Sequence, residues 1–78
     1  MISKRDIYDF VKKAGLEAYP NEACGLIIRV GKASIPVQCK NESLDPRHNF
    51  FINPDESRKV EEKGEIIGCW HTHCEESA

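Results

Sequence analysis

Residues Ala23 to Val30 read Ala-Cys-Gly-Leu-Ile-Ile-Arg-Val, an almost unbroken apolar run with β-branched side chains. A run this short, with Pro20-Asn21 before it and Gly31-Lys32 after it, has the length and punctuation of a buried strand. Gly31-Lys32 predicts a hairpin turn. Beyond it, Ile35, Val37 and Cys39 alternate with polar or small residues, as a half-buried partner strand does. Pro36 has no N–H to give a ladder, which places this second strand at a sheet edge or turns position 36 outward.

The remaining segments supply cover for that sheet. Ile7, Phe10, Val11 and Ala14 follow an i, i+3, i+4, i+7 pattern, one apolar stripe of a helix. Ser3 stands where an N-cap would, with Asp6 three residues on, Ile2 and Ile7 at staple positions, and Gly15 as the expected C-terminal stop. Residues 41–48 form a polar loop around Asp45-Pro46, and 49–52 read as a short strand. Asn53-Pro54 is a cap followed by a first-turn proline, opening a highly charged helix. That helix carries Val60 as its one clear apolar residue and runs to about Lys63, before Gly64. A last strand spans 65–73 through Ile66, Ile67, Cys69 and Trp70. The order helix, strand, strand, strand, helix, strand predicts an α+β (mixed α/β) domain with a central sheet flanked by helices.

Bulk properties narrow the function. The 78 residues suffice for one small domain, and a core of that size often needs a metal, a disulfide or a partner as a staple. A net charge of −2, with no basic patch interleaved with aromatics, gives no reason to expect nucleic acid. The N-terminus Met1-Ile2-Ser3-Lys4-Arg5-Asp6 has no apolar signal core, and no apolar run approaches the length of a membrane span, so the expectation is cytoplasmic. Without a secretory signal the four cysteines are expected as free thiols. Cys24, Cys39 and Cys69 read as small hydrophobes within their strands.

Chemistry concentrates at His71-Thr72-His73. In a strand, residues i and i+2 share a face roughly 6.5–7 Å apart. Two imidazoles so placed can converge on one cation, and zinc takes histidine nitrogen among four ligands. Two metal-free histidines at a strand end would read the same. Glu22, at the mouth of the buried strand, is placed to act as a general base, although position alone does not separate it from Glu17. A compact zinc site from Cys69, His71, His73 and Cys74 is a weaker reading, because Cys74 faces opposite His73 while the strand continues. The same alternation weakens Cys74 as a nucleophile beside His73. His48 reads as a surface histidine, and Trp70, alternating away from His71, as core.

Taken together, Pro20-Asn21-Glu22-Ala23-Cys24-Gly25-Leu26, the hairpin, Asn41-Glu42-Ser43 with Asp45-Pro46, Phe50-Phe51-Ile52 before Pro54, and Ile66-Ile67-Gly68-Cys69-Trp70-His71-Thr72-His73 closely resemble the JAMM, or MPN+, family. The version most similar is that of bacteriophage tail assembly proteins. The resemblance covers nearly the whole chain and implies a zinc-dependent peptidase or isopeptidase. Glu22 matches the family's catalytic glutamate, and His71 and His73 match its two histidine ligands. Thr72 stands where many members carry serine. The family pattern continues past the second histidine with seven residues, a serine, two residues and an aspartate. That serine and aspartate, the third zinc ligand, would fall beyond Ala78. The expectation is therefore residues 1–78 as a C-terminally truncated JAMM/MPN+ domain, inactive alone.

Completed, such a site would hydrolyse an amide bond of a peptide or protein with a metal-activated water, Glu22 taking its proton. If the chain is phage-encoded, its compartment is the bacterial host cytoplasm and phage tail proteins are the expected partners. The alternative is a non-catalytic MPN-like binding or tail assembly module.

Overall fold

The computed structural model describes residues 4–73. The expected cap at Ser3, the staple residue Ile2 and Cys74 lie outside the described residues. The elements run α1 (Lys4–Ala18), β1 (Cys24–Val30), β2 (Ala33–Cys39), α2 (Pro54–Glu61) and β3 (Glu65–His71). The three strands form one antiparallel sheet in the order β2-β1-β3. The fold is α+β, a small antiparallel sheet flanked by two helices.

The apolar run is the central strand β1, and alternation divides its side chains between the two faces. Ala23 and Ile27 lie on one face with Ala14, Val11 and Ala18 of α1 and Trp70 of β3. Phe10 meets the Trp70 ring edge-on at 5.9 Å. Leu26 and Ile28 lie on the other face with Cys39, Ile35, Val37, Ile66 and Val60 of α2. Each large aliphatic side chain so buried contributes roughly 1.5–3 kcal/mol. The Trp70 indole N–H is buried without a hydrogen-bond partner. No helix among the described residues is long and apolar enough to cross a membrane.

β2 pairs with β1 alone, and Pro36 sits on it opposite Ile27, as its missing N–H predicts. Asn53 caps α2 by accepting the Asp55 N–H at 2.8 Å. That helix ends at Glu61, two residues short of the expected Lys63. α1 runs a further turn past Gly15, to Ala18. Gly15 is not the stop. A side-chain carbon there would lie 2.9 Å from Thr72 Cγ2, so the glycine lets the helix pass close over the end of β3. Pro20 breaks the chain instead.

Residues 49–52 are not a strand. One backbone bond, from Glu42 N–H to Phe51 O at 2.9 Å, resembles a ladder. The Phe51 N–H and the Asn49 carbonyl are held by the Asn41 side chain, which removes them from any strand pairing. β3 carries a bulge where Ile27 pairs with Gly68 and Ile28 with Ile66, leaving Ile67 as the extra residue.

Cys24 and Cys39 are buried free thiols, facing each other across β1 and β2. Cys69 is free but exposed, contrary to its place in an apolar run. Burial, with Cys39, Glu56 and Glu22 nearby, pushes the Cys24 thiol from 9.0 to about 11, and burial first, then Glu56, raises Cys39. Both thiols stay protonated at neutral pH. A thiol raised in the folded state stabilises fully below its unfolded value, and that stabilisation is lost as pH climbs through the folded one. Stability is therefore expected to decline between pH 9.0 and about 11. At pH 8, brief treatment with iodoacetamide should label Cys69 and spare Cys24 and Cys39, with all of them labelled after denaturation. Mass spectrometry of the digested protein checks this.

Candidate functional site

Glu22 lies two residues before β1 begins, and it is 4% exposed. Its neighbours hold it from both sides. The Glu22 N–H donates to Pro46 O at 2.6 Å, and its carbonyl accepts from Asn41 Nδ2 at 2.9 Å. Thr72 secures the opposite strand: its N–H donates to Ala23 O at 2.9 Å, and its hydroxyl accepts from Ala23 N–H at 2.9 Å. The residues between Glu22 and His73 in the sequence thus fold back so that both ends meet at the start of β1.

There the structure brings Glu22, His71 and His73 together. Glu22 Oε1 lies 3.5 Å from His71 Nδ1, with the His71 side chain one-third exposed and the Glu22 side chain buried. The His71 and His73 rings meet edge to face, 4.7 Å between centroids. Phe50 stacks on His71 at 4.5 Å and 20° between planes, which fixes the orientation of that imidazole. His48 is exposed and paired with Asp45 at 3.1 Å. Trp70 is buried on the α1 face, away from the cluster.

Sequence reasoning assigned no role to two residues. Phe50 orients His71, and Asn41 organises the loop beside Glu22. The Asn41 amide donates to the carbonyls of Glu22, Pro46 and Asn49, and its oxygen accepts the N–H groups of Ser43 and Phe51. An asparagine in a polar loop carries no signal of this, since its partners are set by tertiary contacts. Asn41→Ala would leave those backbone groups to find water. It is expected to lower stability by about 2 kcal/mol. Hydrogen exchange should show lost protection at the amides of Ser43 and Phe51, and urea unfolding gives the magnitude.

The donor set bears on the zinc expectation. Two neutral imidazoles supply two of the four positions zinc takes. Among the described residues no group of three histidine, cysteine, aspartate or glutamate side chains gathers to hold a metal. Cys69 does not join the two histidines, and Cys74 lies outside the described residues. The described residues therefore do not make a zinc site by themselves. What they do make is a buried carboxylate against an oriented imidazole, with a second imidazole beside it.

The chain is 27% identical over 55 residues to the tail tip assembly protein K of Escherichia phage N15, which is 70% of this chain and 23% of that protein. It therefore spans about a quarter of the length of the curated relative it matches. No solved structure matches it. The model of the prokaryotic homologs of the JAB domain matches residues 4–78. With the family model covering nearly every residue, the chain belongs to the prokaryotic JAB homologs of the JAMM/MPN superfamily.

Proposed function

We propose that this chain works as a JAB-fold binding module of the tail assembly type, with phage tail proteins as partners. The observation that carries this reading is the similarity to tail tip assembly protein K, beside this chain's own match to the JAB family.

A second reading has its own observation. The 3.5 Å approach of buried Glu22 to His71, with His73 alongside, is the arrangement of a general base beside two metal ligands. In a protein whose other residues complete the ligand set, we propose zinc-dependent hydrolysis of peptide or isopeptide bonds. Glu22 would be the base and His71 and His73 the ligands.

One pair of measurements separates the two. Calorimetric titration with zinc, and a peptide-hydrolysis assay, are run on this chain and on an extension carrying a serine and an aspartate at the family spacing. The module reading expects weak zinc binding and no hydrolysis from the chain itself, and hydrolysis by it would overturn that reading. The peptidase reading expects tight binding and hydrolysis from the extension, both lost in His71→Ala. An extension that binds zinc no better than the chain would sink it.

A further inference from the structure

A groove of about 290 Å³ opens where the last turns of α1 pass the end of β3, lined by Lys12, Gly15, Leu16, Tyr19, Thr72 and His73. The absence of a side chain at Gly15 brings the helix close to Thr72 and sets the depth of the groove. Two of its walls are apolar and, among the described residues, uncovered. Leu16 is 71% exposed and Tyr19 65% exposed. Large apolar side chains clustered on a surface mark places where another molecule binds.

Lys12 lies one helical turn before Leu16, on the same face of α1. It has no acidic partner among the described residues. The mouth of the groove is thus a cation beside two apolar walls. The far end is His73, whose ring touches that of His71 in the Glu22 cluster. The groove reaches His73 just past the end of β3.

We propose that this groove docks an extended peptide in which an apolar side chain stands next to a carboxylate. The apolar side chain lies between Leu16 and Tyr19. The carboxylate meets Lys12, and the peptide backbone runs along the groove to His73. The charge of Lys12 selects against basic segments, and the apolar walls select against a small polar anion. The inference rests on the reading of the chain as a protein-binding module and names the chemistry of its partner.

The test is an NMR titration of the full chain, following backbone amides, with three short blocked peptides: Glu-Leu-Glu, Glu-Ala-Glu and Lys-Leu-Lys. Glu-Leu-Glu is expected to shift the amides of Gly15, Leu16, Tyr19 and Thr72. It should bind about tenfold more tightly than Glu-Ala-Glu, which lacks the apolar anchor. Its advantage over Lys-Leu-Lys should be about two- to fivefold for an exposed ion pair. Lys12→Glu should reverse that second preference, and its exposed position leaves the fold intact. Shifts confined to another surface, no binding by any peptide, or an unchanged preference in Lys12→Glu would overturn the proposal. Tail-protein binding or hydrolysis with a silent groove removes the groove alone. A responsive groove with neither tail-protein binding nor hydrolysis removes the functional reading and leaves the groove.

Discussion

Gly25→Ala is expected to destabilise this protein by about 3 kcal/mol or more, at the upper end of what overpacking costs. Gly25 sits in the central strand, opposite Gln38 of β2 and Trp70 of β3. A side-chain carbon there would overlap the Val37 carbonyl oxygen and lie 2.7 Å from two ring carbons of Trp70. Neither neighbour has room to yield. The carbonyl belongs to the backbone of a paired strand, and Trp70 is wedged among Ala14, Ala23 and the edge of Phe10. Relief would require β2 to move away from β1, or Trp70 to leave the α1 face. A chain of this length has on the order of 5–10 kcal/mol of stability in total, so the variant would lose roughly a third to more than half of it. Urea unfolding followed by fluorescence of Trp70 reports the effect directly. A midpoint equal to that of the parent would show that the strands are not packed as closely as described.

Glu22→Gln should have the largest effect on chemistry. In a protein that completes the ligand set and hydrolyses amide bonds, the substitution is expected to lower kcat by about 10²–10⁴. Glutamine keeps the shape and the burial of Glu22 but cannot take a proton from water or return one to a leaving amine. The fold should survive, because the contacts that hold residue 22 are made by its backbone, to Pro46 O and Asn41 Nδ2. Removing a buried carboxylate also relieves a desolvation cost, so the unfolding midpoint should be equal or higher. Lost turnover with an unchanged or raised midpoint is the expected pair of results. Retained turnover would remove Glu22 as the base.

Local pattern carried much of the architecture. The β1–β2 hairpin was legible because its apolar run, turn residues and alternation are all sequence-adjacent, and antiparallel register follows from a short turn. Asn53-Pro54 opened α2 for the same reason, with a cap and the N–H that donates to it two residues apart. Val60 as the buried residue of a charged helix, and Trp70 as core opposite His71, followed from periodicity. The meeting of Glu22 with His71 and His73 was expected only because two distant motif halves resembled one family, not because either half required it.

What tertiary structure alone decided lies in contacts between residues far apart in the chain. β3 pairs with β1, a strand order that no local pattern encodes. Gly15 sits inside α1 because Thr72, far along the chain, needs the space its missing side chain leaves. Residues 49–52 failed to become a strand because the side chain of Asn41 took backbone groups that a ladder requires. Phe50 orients His71 by stacking across the same fold-back. Propensity and periodicity report what a segment does with its neighbours in sequence. These outcomes turn on which side chains arrive from elsewhere, and only the packed sheet brings them within reach.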